Sequence, residues 1–167
     1  MAHPVDDDPV MASAIGRCSN NWTHAESVLS WIFSHLTNTT HTVAVTVFSF
    51  FKATHTQRAV LKKLSNITPF MTEDLNSRLK EALKTYIALA EERNELLHNP
   101  MGRSVENQIY IMLRKATPEP GALPYHAKSI TPAEIDDLSE RIKNFNLELR
   151  AIESAMGVAK IEAHRAS

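Results

Sequence analysis

At 167 residues the chain is long enough for one domain with its own hydrophobic core, without disulfides or a structural metal. A formal net charge of −1 and an isoelectric point near 6.7 give no global positive field for nucleic acid, so any such binding would rest on a local patch. Cys18 stands alone, no signal-peptide pattern opens the chain, and the apolar run from Val43 to Phe51 is far shorter than the roughly 20 residues of a membrane span. A cytoplasmic protein without membrane association is expected, and the sequons at Asn21, Asn38 and Asn66 then carry no meaning.

Residues 1–10, with Pro4, Pro9 and the run Asp6 to Asp8, read as a disordered lead-in. A single helical domain is expected over 11–167. From Met11 onward, Ile15, Cys18, Trp22, Ala25, Leu29, Ile32 and Leu36 recur at spacings of three and four, the seam of a helix packed nearly parallel to its neighbours. "TNTTHT" interrupts it. A second helix is expected from about Val43 to Ser65: its β-branched first half would also suit a strand, but it continues into "QRAVLKKL" without a turn signal. A third helix begins after Pro69 with Thr72 as N-cap and stops at about His98, because Asn99 precedes Pro100 and is steered out of the α conformation. "ENQIYIMLRK" and "PYHAKSI", separated by the breaker-rich "TPEPGALP", read as a small β-hairpin. Thr131, Pro132 and Glu134 supply N-cap, N1 and capping-box positions for a fourth helix. Its seam is Ile135, Leu138, Ile142, Phe145, Leu149, Ile152, Met156 and Ala159. The fold expected is all-α in the main: a four-helix bundle with one β-hairpin inserted between the third and fourth helices, and with Trp22, Leu29, Leu83, Ile142, Phe145 and Leu149 in its core.

The third helix departs from its own pattern near its end. Along one edge of its apolar face run Tyr86, Leu89, Arg93 and Leu96; along the other, Ile87, Ala90, Asn94 and Leu97. Burying a guanidinium or an unpaired amide costs several kcal/mol unless partners are provided. One explanation is that Arg93 and Asn94 are satisfied by carboxylates or by helix ends, and Glu26, four residues after Trp22, borders the first helix's seam as a candidate partner for Arg93. The other is chemistry. His98 lies four residues after Asn94 on the same face, and about 140° round the helix from Arg93, an angle that an arginine side chain can span if a second subunit closes the site.

Arg93-Asn94, three further residues, then His98, late in a helix of a small bundle, resembles the R-N-x-x-x-H motif of the HEPN family, and the likeness extends over most of the chain from Met11 onward. The resemblance implies a metal-independent RNase in which the arginine and histidine of two subunits meet across a dimer interface, Arg93 holding the scissile phosphate, His98 acting as acid/base and Asn94 positioning one of them. The residue types suit that chemistry. RNA carries its own nucleophile in the 2′-hydroxyl, so a group titrating near neutrality and a cation for the developing phosphorane suffice. No cofactor is expected. The resemblance also suggests a toxin or defence effector with single-stranded RNA as substrate and an antitoxin protein as partner. Many toxins of the family have a modified tyrosine two residues after the histidine, where this chain has Pro100. The alternative is a non-catalytic HEPN-like dimer that binds RNA, nucleotide or a protein, with Arg93 and His98 as a phosphate clamp or as structural polar groups.

Other signals are weaker. Lys52, His55, Arg58 and Lys62 fall at helical spacing and form either a stripe that tracks an RNA backbone, with Lys52, Arg58 and Lys62 as its cations, or a solvated face. Glu95 and His98 make one E-x-x-H, but a di-iron site needs a second, which the chain lacks. His3, His24, His35, His41, His55, His126 and His164 have no zinc-ligand spacing and read as solvated or capping. With four glycines in the chain, Gly-rich phosphate loops are absent. The apolar faces of the third and fourth helices exceed what one small bundle need bury, which suggests a homodimer.

Overall fold

The computed structural model describes residues 8–104, 108–114 and 125–166. Among them are five helices and a three-stranded antiparallel sheet. Helix α1 spans Pro9–Thr37. It starts two residues before Met11 because Asp8 caps it, its Oδ1 accepting from Met11 N at 2.9 Å, and because Pro9 stands in the first turn where a missing N–H costs nothing. Pro9 and Val10 are therefore helical, and the lead-in expected over 1–10 falls otherwise on residues 1–7, outside the described residues. At the other end Asn38 adopts the left-handed conformation (φ 52°, ψ 39°) and its N–H returns to His35 O, a common helix stop.

The expected second helix is two helices, α2 (His41–Phe48) and α3 (Thr54–Ile67). No glycine or proline marks the break. At Ser49 to Phe51 the chain tightens into three-residue bonds, Phe50 N to Val47 O and Phe51 N to Phe48 O. The break coincides with aromatic packing: Phe48 and Phe51 stand edge to face at 5.9 Å, and both meet Phe33 of α1. Tertiary packing thus overrides the local signal.

Helix α4 runs Glu73–His98, with the Thr72 hydroxyl accepting from Leu75 N at 3.2 Å, and ends where Pro100 requires it to. Helix α5 runs Pro132–Ala166 behind the expected capping box: Thr131 N donates to Glu134 Oε2 at 2.7 Å, and Glu134 N donates to the Thr131 hydroxyl at 3.3 Å. The predicted seams are the buried faces. Cys18, Trp22, Leu29 and Ile32 of α1 and Leu138, Ile142, Phe145, Leu149 and Ile152 of α5 pack in one core with Leu79, Leu83 and Tyr86 of α4. Each such side chain contributes about 1.5–3 kcal/mol by leaving water. Helix α1 packs along α5, α5 also against α4, α4 against α3, and α3 back onto α1. Polar bonds pin the α1/α5 register: the Asn21 amide donates to the Ser139 hydroxyl at 2.9 Å, and the Asn146 amide to Asn21 O at 2.9 Å.

Strands β2 (Ile109–Arg114) and β3 (Tyr125–Ser129) pair as the expected hairpin, their connection lying outside the described residues. A third strand, β1 (Met101–Arg103), was not expected; three residues carry no periodicity. It pairs with β2, opposing Gly102 to Tyr110, whose ring lies so close that a Cβ on Gly102 would sit 2.4 Å from it. Met112 N donates to Pro100 O at 2.9 Å, so the sheet is fastened to the end of α4. No helix among the described residues is long and apolar enough to cross a membrane.

Candidate functional site

The last two turns of α4 bring Arg93, Asn94 and His98 together. Arg93 Nη1 lies 2.5 Å from His98 Nε2 and 3.2 Å from Asn94 Oδ1. The 140° between Arg93 and His98 is thus spanned within one chain, without the second subunit invoked from sequence. Guanidinium only donates, so in this contact His98 Nε2 is the acceptor. His98 and Asn94 are exposed, whereas Arg93 is half-buried.

What surrounds Arg93 is apolar and aromatic. Its guanidinium carbon lies 5.6 Å from the centroid of the Trp22 ring, an arrangement favourable to a cation. Trp22 stacks on Tyr86 at 5.1 Å, and Tyr86 on Phe145 at 6.2 Å. Tyr86 is anchored from α3, its hydroxyl donating to Gln57 Oε1 at 2.6 Å. Trp22 and Tyr86 were legible only as seam residues, and Gln57 not at all, because a lone amide on a helix has no pattern. The Arg93 Nε is buried and without a partner.

The carboxylate explanation fails for Arg93. Glu26 instead accepts from the Trp22 indole N–H at 3.0 Å. Glu92 is held by Arg141, whose Nη1 lies 2.9 Å from its Oε2, and Glu95 by Lys128 at 2.7 Å. Among the described residues no carboxylate stands within 4.0 Å of Arg93. A guanidinium half out of water with neutral partners is costly, and its full charge is left for a ligand. The same facts separate the E-x-x-H pair, Glu95 turning to Lys128 and His98 to Arg93; no three metal-ligating side chains converge among the described residues.

The basic stripe is divided by the break in the second helix. Lys52 lies between α2 and α3, outside any helix, while His55, Arg58 and Lys62 are on α3. Lys52 and His55 border a cleft of about 270 Å³ that reaches Asn94, and Arg58 and Lys62 border a neighbouring one of about 130 Å³. Of the remaining histidines, His35 pairs with Glu153 at 2.9 Å, His24 Nε2 meets Arg150 Nη2 at 2.6 Å, and His41 stacks on Trp31. His3 lies outside the described residues.

Burial pushes the Tyr86 hydroxyl well above its ordinary value of 10.0, with Glu26 adding in the same direction and Arg93 opposing. Burial also raises the Cys18 thiol above its ordinary 9.0, again opposed by Arg93. Both groups hold their protons more tightly in the folded chain. Above the ordinary values the unfolded chain binds fewer protons, so stability present at neutral pH is lost as pH rises beyond about 9 to 10. Tyr86→Phe is expected to cost about 1–3 kcal/mol at pH 8, because buried Gln57 loses its donor, and to flatten the alkaline decline. Thermal melts of both proteins from pH 8 to 11 check this; parallel curves would contradict the role given to Tyr86.

Comparison of the chain with protein-family models, with curated proteins and with solved structures finds no match.

Proposed function

We propose that this chain is a HEPN-like endoribonuclease that cleaves single-stranded RNA without metal. The observation that carries the reading is the Arg93 guanidinium, without a carboxylate among the described residues, seated by Trp22 and touching His98 at the exposed end of α4. The proposal takes α1, α3, α4 and α5 as one four-helix bundle that holds this end in place, and a cytoplasmic homodimer as the working form, serving as a toxin or defence effector held in check by an antitoxin protein.

In the reaction, a phosphate oxygen displaces the imidazole from the Arg93 N–H groups, since a charged acceptor makes the stronger bond. His98 Nε2, released, takes the 2′-hydroxyl proton as the 2′-oxygen attacks phosphorus. His98 then returns that proton to the 5′-oxygen as it leaves, and Arg93 offsets the charge on the phosphorane. The products are a 2′,3′-cyclic phosphate and a free 5′-hydroxyl. Asn94, accepting from Arg93, fixes the guanidinium.

Purified protein incubated with assorted single-stranded RNAs in EDTA should give those ends, leave DNA of the same sequence intact for want of the nucleophile, and sediment as a dimer at micromolar concentration. Intact RNA throughout, or ends bearing 3′-hydroxyl and 5′-phosphate, would overturn the mechanism. One observation favours a second reading: in this arrangement the Nε2 lone pair is engaged by Arg93, as in a fixed phosphate clamp rather than a poised base. A non-catalytic HEPN-like dimer of that kind would retain RNA, nucleotide or a protein partner without turnover.

A further inference from the structure

We infer that the groove between α3 and α4 is a backbone-tracking channel that leads a single RNA strand to Asn94 and His98, an inference that rests on the ribonuclease reading and extends it beyond the three motif residues. Helices α3 and α4 form an antiparallel pair, locked at one end where the Ser65 hydroxyl donates to Asn76 Oδ1 at 2.9 Å and further along by Gln57 and Tyr86. Two clefts follow one another along the pair. The first is lined by Arg58 and Lys62 of α3 with Lys80, Glu81, Leu83 and Lys84 of α4. The second is lined by Lys52, His55, Ile87, Glu91 and Asn94 among others. On α4 the groove positions 80, 84, 87, 91 and 94 recur every three or four residues, and 98 continues the row, so the track ends on the candidate site.

The charge of this groove is the local patch that the near-neutral whole lacks. Four cations face one acid in the first cleft, and that acid, Glu81, is paired with Lys84 at 2.6 Å. Among the described residues Lys52, Arg58, Lys62 and Lys80 have no carboxylate within 4.0 Å. Glu91 is the one opposing charge in the second cleft. Nearer Asn94 the floor is apolar, with Ile87 half-buried and Ala90 buried, a surface for sugar or base rather than phosphate. Lysine and arginine on one side and aliphatic carbon on the other read phosphates without reading sequence. From position 80 to position 94 is about 21 Å at 1.5 Å per residue, which suits a short strand at the low end of the roughly 4–16 nucleotides that single-strand sites occupy.

The test compares the native protein with the double variant Lys62→Ala, Lys80→Ala on oligouridylate of 2 and 12 nucleotides. None of the three motif residues is altered, and the substituted side chains are partly or fully exposed. On the 12-mer KM should rise at least tenfold with kcat unchanged, since the lost contacts are made equally in ground and transition states. The dinucleotide, too short to reach the lysines, should be cleaved as before. The salt dependence of 12-mer binding, measured on His98→Ala protein to prevent turnover, should flatten by about 0.7 for each phosphate contact removed. Unchanged KM and salt slope on the 12-mer, while His98→Ala still abolishes cleavage, would overturn the channel and leave the ribonuclease standing. Weakened poly-glutamate binding beside unchanged RNA kinetics would make the groove an acidic-protein dock instead. Were no RNA bound or cleaved by native protein, both readings would fall together.

Discussion

His98→Ala is expected to lower RNA cleavage by about 10²–10⁴-fold, the usual effect of removing one acid/base group, while leaving the melting temperature close to that of the native protein. His98 is exposed at the last turn of α4, and what it touches is Arg93 rather than the core. Surface changes of this kind stay within about 0.5 kcal/mol. Arg93→Leu should abolish cleavage to a similar degree with the opposite effect on stability. It removes a half-buried cation that, among the described residues, has no carboxylate and no partner for its buried Nε, and it puts a better-suited side chain by Trp22. A gain in thermal midpoint accompanied by loss of activity marks a site kept for function at a cost in stability. Loss of stability in Arg93→Leu would instead mean that the arginine is structural, and would turn the reading toward the non-catalytic dimer. Kinetics on one RNA and thermal melts of the three proteins decide between these.

Phe145→Ala should be the most damaging single change in the interior, at about 3–5 kcal/mol. In a chain of this length that lowers the melting temperature by about 2–4 °C per kcal/mol. Phe145 is 3% exposed and is the inner end of the stack that continues through Tyr86 and Trp22 toward Arg93. A void behind Tyr86 lets that ring tilt, and with it the indole against which the guanidinium is seated. Leu149→Ala, fully buried on the same helix but outside the stack, is the matched comparison at about 2–5 kcal/mol. Well below both melting temperatures, Phe145→Ala should lose more activity than Leu149→Ala for equal loss of stability. Equal activity in the two variants would show that the aromatic stack does not govern the position of Arg93.

Much of this architecture is legible in the residues. The seams of α1 and α5, the Thr72 cap, the Thr131/Glu134 capping box and the stop at His98 are local signals that tertiary packing had no cause to oppose. The break between α2 and α3 was not legible, since no glycine or proline marks it and the contacts of Phe48 and Phe51 with Phe33 join positions distant in sequence. Strand β1 was too short to register. At the site, Arg93, Asn94 and His98 were visible as polar residues on an apolar face. What sequence could not show was where nearby charges go: Glu26 looked like the partner of Arg93 and serves the indole beside it, while Lys128 and Arg141 occupy Glu95 and Glu92 from elements far along the chain.

The join between α4 and β1 places the two candidate groups, Arg93 and His98, on different sides of a mechanical boundary. Arg93 belongs to the packed helices, whereas His98 is followed by Asn99 and Pro100, through which the helix passes into a sheet whose buried apolar residues, among those described, are Ile109 and Ile111, with Ile130 adjoining and Met101 and Leu113 partly buried against the core. Units with so little buried apolar surface open at lower free energy than the global transition. On this hypothesis the sheet opens first on warming and carries His98 away from an Arg93 that stays in place, so enzymatic inactivation precedes melting. Faster amide exchange across Ile109–Leu113 than in the α1 and α5 seams would reveal this ordering, and equal rates in the two regions would refute it.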